Sequence, residues 1–484
     1  MGLPSLNLIS SPFAVNATTN NLPFVVTSPS SSAAQFKLVT DIYIPYRSSA
    51  RLTRIKTAPS ASLCMIDIAR IAADYLTYDT PMTVVGGTGS FANAAQFKIV
   101  MGEEYADSPS GSIIRYDGNG NVGEPNFTAS FSGSGANKEG TLIPAVNEYS
   151  NLSYDWPQQE WYMDMPGTSS TPFLTNDPNF TLSGIVNAGG TPTKRAHDYD
   201  WETISLITDG LYNEGIQAVA FQLYFTAASP VYTDNNYYTT NAFSTAGTLA
   251  PLQHIGIGPA NVSASSAVAA SYIANGDWTK LRFDFEFISG DNRIVEIQRE
   301  ECYYYDQNLA KEYPDEDETR RIKGRTRFAF INKFGVMDYY NVNNPAKKSS
   351  AIKRKDYTQP QLPWTELSST DGAIFDAGKR GKDTYAVNAR SQFEVTTDYM
   401  DTETSDWLSE LIESPSVFIQ SDSLNNQLNL NKSNFFEERA AISNGFVPIN
   451  IKNASYTWRT NKFKQKLFQY DIKWELSNTE ETRR

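Results

Sequence analysis

The sequence predicts a mainly β protein, built from tandem β-sandwich-like modules with a few short helices. Three observations support this prediction. Many short segments alternate apolar and polar residues, and Gly, Asn, Asp and Pro separate them. Aromatic residues make up 13% of the 484 residues, which argues against a disordered chain and supplies several large cores. Helical spacing of apolar residues is clear only in two segments, 68–76 and 401–412.

The first 106 residues are expected to form an arm and one module. Residues 1–30 are rich in Ser, Thr, Asn and Pro, a composition that predicts an extended arm instead of a packed element. Residues 31–106 are predicted to be a β-sandwich module with one helix. Its strand 36–44 carries apolar residues at period two, strand 51–56 is the expected hairpin partner, and Asp67 should cap the helix.

A seven-residue repeat lies inside this module. Residues 33–39 read AAQFKLV, and residues 94–100 read AAQFKIV. The repeat predicts two similar strands within one sandwich. Two copies are too few to indicate a repeat array.

Residues 107–320 are predicted to form a β-rich middle domain with long loops. The segment 116–121 (YDGNGN) is typical of a hairpin turn, and 218–225, 281–288 and 293–298 are the clearest strands. An acidic run at 312–318 is followed at once by basic residues up to 327, which indicates a boundary or an exposed excursion.

Residues 321–484 are predicted to form a C-terminal β-sandwich-like module. Asp401 or Thr402 should begin its helix, and the apolar stripe around Trp407 should pack on the alternating face of a closing strand, 466–476. Basic loops are expected around 347–355 and 379–382. The predicted interface or packing residues are Trp407, Trp458, Tyr456, Arg354, Lys355 and Arg380.

The chain offers few residues for catalysis or metal binding. It has two histidines, His197 and His254, which argues against zinc sites and a Ser-His-Asp triad. His254 lies in the segment 252–256 (LQHIG), which is expected to be a loop. Its two cysteines, Cys64 and Cys302, are expected to be buried free thiols. Walker and dinucleotide-binding loops are absent from the sequence. We therefore predict no catalytic residue, no metal site, no cofactor and no enzymatic activity.

One aromatic and acidic cluster leaves an alternative open. Asp155 and Glu160 are flanked by Trp156, Trp161 and Tyr162. A carboxylate pair can cleave a glycan, and aromatic rings can stack on sugars. A packed aromatic strand or loop is the favoured interpretation of this segment.

Charge is unevenly distributed along the chain. Residues 1–320 hold 17 Lys and Arg against 34 Asp and Glu, or −17; residues 321–484 hold 24 against 20, or +4; the sum is −13. An acidic body argues against nucleic-acid binding. It favours contact of the basic C-terminal part with an acidic protein neighbour, including another copy. No apolar stretch is long enough for a membrane span.

Residues 328–340 (FAFINKFGVMDYY) are similar to a recurrent F-x-F-x-N-x-F-G-x-x-D-x-Y stretch. In this stretch the chain resembles structural proteins of tailed bacteriophages, especially those that infect Bacteroidetes. The helix with 414–419 (SPSVFI), and the ending from 447 to 470, resemble the same family, as does the N-terminal strand–strand–helix unit.

The resemblance implies a structural virion component of the tail or baseplate region. It would assemble in the cytoplasm of a bacterial host as a ring or trimer about the tail axis and dock neighbouring tail or baseplate proteins. The alternatives are a virion-surface adhesin that binds a receptor or host glycan, and a glycan depolymerase.

Overall fold

Strands dominate the structure, which confirms the predicted mainly β class. The described part of the chain contains 29 strands and four helices. The computed structural model describes residues 6–10, 16–18, 22–44, 51–60, 62–78, 83–90, 92, 94–117, 120–124, 141–146, 173–180, 193–198, 200–207, 216–225, 229–239, 244–245, 248–249, 252–276, 278–287, 292–300, 326–344, 346–358, 364–368, 372–375, 382–420, 446–452, 468–477 and 481–483.

The chain divides into two units. The first comprises Met1–Glu301, Phe330–Asp338 and Glu413–Pro415. The second comprises Cys302–Ala329, Tyr339–Ile412 and Ser416–Arg484.

The N-terminal part of the first unit contains ten strands and a helix, α1 (Ala69–Tyr75). The strands are Asn7–Ser10 (β1), Asn16–Ala17 (β2), Pro23–Thr27 (β3), Ala34–Tyr43 (β4), Arg51–Thr57 (β5), Leu63–Asp67 (β6), Gly87–Ser90 (β7), Ala94–Ala106 (β8), Ile114–Asp117 (β9) and Thr141–Val146 (β10). A three-stranded sheet has the order β1-β3-β6, and a six-stranded sheet has the order β2-β10-β8-β4-β5, with β9 also on β8. The two sheets and α1 share one apolar core.

The prediction of an unpacked arm over residues 1–30 is wrong for its described part. β3 pairs with β6, and Leu6, Leu22 and Phe24 are at most 1% exposed within the core. The physical reason is local alternation. Phe24 and Val26 point to the same face of β3, and burying them outweighs the polar composition around them.

Other predictions for this region are confirmed. β4 and β5 form the expected antiparallel hairpin. The two copies of the repeat begin β4 and β8, which are neighbours in one sheet. The backbones of the two copies differ at the glutamine. Gln35 has a φ of 58° beside a bulge, whereas Gln96 pairs regularly with Pro144.

The cap of α1 differs slightly from the prediction. Ile68 occupies the cap position and makes no side-chain cap bond. Asp67 acts one residue earlier, where its Oδ1 accepts hydrogen bonds of 2.9 Å from the backbone N–H groups of Ala69 and Leu22. The carboxylate therefore ties the helix start to the entry of β3.

The rest of the first unit is built on a second core. Its strands are Thr193–Ala196 (β11), Thr203–Ile207 (β12), Ile216–Tyr224 (β13), Pro230–Thr239 (β14), Ser244–Thr245 (β15), Thr248–Leu249 (β16), Leu252–Gly256 (β17), Lys280–Phe287 (β18) and Asn292–Arg299 (β19). Two short helices, Pro259–Ser265 (α2) and Ala267–Ala274 (α3), follow β17. The sheets are β11-β19-β18-β13-β14, β12-β17-β7 and β15-β16. The three strands predicted at 218–225, 281–288 and 293–298 are adjacent here as β13, β18 and β19.

The segment around His254 was expected to be a loop, and this is wrong. It is the fully buried central strand β17. His254 is 0% exposed, and its Nδ1 lies 2.8 Å from Ser205 Oγ. The nearby Gly256 allows close backbone approach, because a Cβ on it would lie 2.5 Å from the Val84 carbonyl oxygen.

The second unit contains most of helix α4 (Thr402–Glu413) and most of the strand residues of an eight-stranded sheet, while Phe330–Asp338 and Glu413 belong to the first unit. The remaining strands are Thr326–Ile331 (β20), Met337–Val342 (β21), Lys347–Thr358 (β22), Trp364–Ser368 (β23), Gly372–Phe375 (β24), Lys382–Thr396 (β25), Val417–Gln420 (β26), Phe446–Ile451 (β27), Asp471–Leu476 (β28) and Glu481–Arg483 (β29). The sheet order is β21-β20-β26-β27-β28-β25-β22, with β29 on β25, and β23 pairs with β24.

The predicted C-terminal helix is confirmed as α4. Asp401 is its cap, since Oδ1 accepts a 2.8 Å hydrogen bond from the Thr404 backbone. Trp407 is 3% exposed and contacts Tyr340 edge-on, with ring centroids 5.7 Å apart. The helix meets the closing segment through Ser405 and Tyr470, whose hydroxyl oxygens are 2.9 Å apart.

The closing strand is shorter than predicted. β28 begins at Asp471, because Phe468 bridges Met400 ahead of it. The alternating residues are nevertheless all buried: Phe468, Tyr470, Ile472, Trp474 and Leu476.

Within the described residues, the longest helix has 12 residues and none is suited to crossing a membrane.

Candidate interaction surface

The longest strand pairing of the second unit lies at one end of the eight-stranded sheet. β22 pairs antiparallel with β25 along its whole length, from Lys347 opposite Glu394 to Thr358 opposite Lys382. We call residues 347–358 and 382–396 the basic ribbon. Twelve residues of strand extend about 40 Å. The expected basic loop at 347–355 is therefore wrong: the lysines stand on a strand.

The outer half of the basic ribbon is exposed on both faces. None of the side chains from 349 to 358 is buried. Ile352, Tyr357 and Tyr385 are 54%, 44% and 55% exposed, and the two tyrosine rings lie 6.3 Å apart. β22 ends the sheet order, so one edge of it is unpaired by any described strand.

Three consecutive cations on this edge have no acidic partner in the described part of the chain. Lys353, Arg354 and Lys355 are exposed and form no ion pair there. By contrast, Arg390 of the same ribbon pairs with Glu475 at 3.2 Å. Lysines on an edge strand oppose pairing with another edge, and they leave positive charge available to a partner.

The predicted interface and packing residues are not brought together. Arg354 and Lys355 are neighbours on the basic ribbon, whereas Trp407 is buried in the second unit. Arg380, Tyr456 and Trp458 lie outside the described residues.

The turn between β20 and β21 lies within the motif of residues 328–340, and its side chains have a structural role. Asn332 is 0% exposed, and its Oδ1 accepts hydrogen bonds from the backbone N–H groups of Phe334 and Val336 at 3.0 and 3.2 Å. Its Nδ2 donates to the Leu174 carbonyl at 2.8 Å. Gly335 has a φ of 78°, which favours glycine in this tight turn.

A second motif residue makes a buried contact within the first unit. Asp338 is 6% exposed and accepts a 2.8 Å hydrogen bond from Thr175 Oγ1. The Asn and Asp of the motif thus satisfy buried polar groups, a structural role.

The core face of β8 carries a buried acid. Glu103 is 1% exposed, and its Oε2 accepts a 2.5 Å hydrogen bond from Ser28. Its Oε1 has no hydrogen-bond partner among the described residues. Burial raises the pKa of the Glu103 carboxyl, and hydrogen bonds from Ser28 and Ser30 oppose that rise only partly. The same burial, with the Glu103 charge, raises the pKa of the Cys64 thiol.

The opposite face of this sheet carries an ionic network. Arg54 donates two 2.6 Å hydrogen bonds to Asp41, which is 1% exposed. Glu104 pairs with Lys56 at 2.7 Å and with Arg115 at 3.1 Å. Burial alone would raise the pKa of Glu104, but the hydrogen bonds and charges of these two cations bring it below its usual value.

A buried ion cluster in the first unit was missed by sequence reasoning. Lys194 Nζ lies 2.9 Å from Asp177 and 2.6 Å from Glu202, and 5.3 Å from the centre of the Phe180 ring. All three charged groups are at most 10% exposed. Nothing in the sequence spacing joins 177, 194 and 202, because the tertiary fold brings them together.

Several predicted groups cannot be placed. Cys302, the charge switch at 312–325 and the aromatic and acidic cluster 155–162 lie outside the described residues. Cys64 is buried as a free thiol, as predicted. Among the described residues, no group of three or more His, Cys, Asp or Glu is arranged to hold a metal ion.

No protein-family model matches the chain, and no curated protein matches it.

Proposed function

We propose that the protein is a structural component of a tailed-bacteriophage virion, in the tail or baseplate region. Copies of it would self-assemble and dock neighbouring tail proteins. The observation that carries this proposal is the basic ribbon. It presents two exposed tyrosines, and within the described residues it also has three cations that form no ion pair and a strand edge that no other strand covers. Interfaces between subunits are enriched in Tyr and Arg.

The motif hairpin supports the proposal from another direction. Its resemblance to phage structural proteins depends on residues whose side chains pack or fix a turn, such as Phe328, Asn332 and Asp338. A motif with this role preserves a shape, as an assembly subunit requires.

The test is to locate the chain in particles of the phage that encodes it. Mass spectrometry of gradient-purified virions should detect the protein at several copies per particle. Antibodies raised against the purified full-length chain should decorate the tail or baseplate in electron micrographs. Absence of the chain from purified virions, with its presence in the infected-cell lysate, would overturn the proposal.

A further inference from the structure

We infer that the basic ribbon binds the acidic part of a second copy of this chain, residues 1–320. This inference rests on the proposed function and names the partner and its chemistry. It draws on the charge of the ribbon, its exposure and its edge position.

Charge selects the partner. Residues 347–358 hold five Lys and Arg and one Asp, or +4, so the rest of the chain carries −13 − 4 = −17. Two copies therefore attract most strongly when the ribbon of one faces the body of the other. Such complementarity steers association and fixes which surfaces meet.

The same charge opposes pairing of two ribbons. If β22 paired antiparallel with β22 of another copy in the register centred on Arg354, Lys353, Arg354 and Lys355 would face an identical set of cations across the new edge. Like charges directly opposite each other destabilise a strand pair. The contact therefore joins two different surfaces, and repetition of such a contact closes a ring or extends a filament.

Aromatic side chains supply the short-range attraction. Tyr357 and Tyr385 are half exposed and stand together near the end of β22. Their rings offer apolar area with little loss of side-chain entropy, which is why Tyr is frequent at the centre of interfaces. The cations thus orient the ribbon, and the tyrosines hold it.

The first experiment identifies both surfaces directly. Equal amounts of unlabelled and ¹⁵N-labelled full-length chain are mixed and treated with a carbodiimide, which joins a lysine to a carboxylate in contact with it. We expect peptides that join Lys353 or Lys355 of one isotope to an acid within 1–320 of the other. They should disappear at about 0.5 M salt, where the Debye length is well below 10 Å. Cross-links within single copies only, or between two ribbons, would overturn the inference.

The second experiment uses matched variants in sedimentation at low salt. Lys353→Glu with Lys355→Glu should reduce the assembly to single chains, whereas Arg70→Glu with Arg195→Glu, an equal charge change at exposed sites of the first unit, should leave it intact. An assembly that survives the ribbon variant, or that nuclease treatment abolishes, would overturn the inference. A wild-type chain that stays single at low salt would do so too, while its presence in virions would still support the proposed function.

Discussion

Glu103 and Glu104 are consecutive residues of β8 with similar burial, 1% and 2% exposed. The pKa of the Glu103 carboxyl is nevertheless raised, whereas that of Glu104 is lowered. Alternation along the strand places them on opposite faces of the six-stranded sheet. Glu103 meets the apolar core and the Ser28 hydroxyl. Glu104 meets Lys56 and Arg115. Burial alone therefore does not decide the ionisation of an acid; the partners that it meets do.

The largest effect should come from Asp41, on the ionic face. Asp41→Asn removes the charge that Arg54 grips with two hydrogen bonds. Breaking a buried ion pair costs about 3–5 kcal/mol when the remaining charge is uncompensated. Because Arg54 keeps Glu124 as a partner at 2.6 Å, the free energy of unfolding should fall by about 3 kcal/mol, the lower end of that range. Urea denaturation measures it, and the exposed Asp107→Asn is the control. Equal stability of the two variants would show that the ionic face contributes nothing.

Glu104→Gln tests the same face with a smaller expected loss, about 1.5–3 kcal/mol, the usual contribution of hydrogen bonds to a charged group. The folded-state pKa of Glu104 is lowered, so its contribution is present above the ordinary value and is lost as the pH falls through the folded one. The difference in the free energy of unfolding between wild type and variant should become smaller below about pH 4.5. A gap that is constant down to pH 3 would contradict the assignment.

Glu103→Gln should change the free energy of unfolding in the opposite direction and stabilise the protein. Neutralising this acid removes a buried charge but leaves a buried amide, so unfolding at pH 7 should cost on the order of 1 kcal/mol more than in wild type. The folded-state pKa of Glu103 is raised, and its favourable contribution is lost as the pH rises above the ordinary value. Thermal unfolding across pH 4 to 8 should therefore show that the stability of the variant rises relative to that of wild type as the pH increases. A destabilised variant at pH 7 would erase the contrast between the faces.

Ser28→Ala should give the smallest change, about 0.5–1 kcal/mol of lost stability, since it removes one hydrogen bond to Glu103. That hydrogen bond lowers the pKa of Glu103, so its loss should move the pH dependence of stability to higher pH. Comparison of the two pH profiles measures the shift. An unchanged profile would mean that Ser28 does not hold the carboxylate.

Much of the strand content could be predicted because alternation is a local property. It located the β4–β5 hairpin, β13, β18 and β19, and the stripe of α4 began and ended within a residue of its prediction. Composition gave a wrong prediction for residues 1–30, because their Ser- and Pro-rich average concealed the alternating apolar residues of β3. The segment of β17 was wrongly expected to be a loop, and its Gly256 serves close packing against the Val84 carbonyl.

The candidate surface was only partly predictable. The sequence singled out Arg354 and Lys355 as basic residues but could not show that they stand on a sheet edge, since that depends on pairing with a strand about 30 residues away. The partners of Glu103 and Glu104 depend on register between distant strands in the same way. Long-range pairing is what a local pattern does not encode.

The repeat at β4 and β8 has a consequence for reading one copy from the other. Gln35 adopts a left-handed backbone and its side chain donates to the Pro109 carbonyl, while its counterpart Gln96 continues an extended strand. Left-handed residues are strained unless they are glycine, and glycine weakens a regular strand. Substitution by glycine would thus relieve backbone strain at Gln35 but weaken the strand at Gln96. The tolerance to substitution measured in one copy of the repeat therefore does not transfer to the other copy.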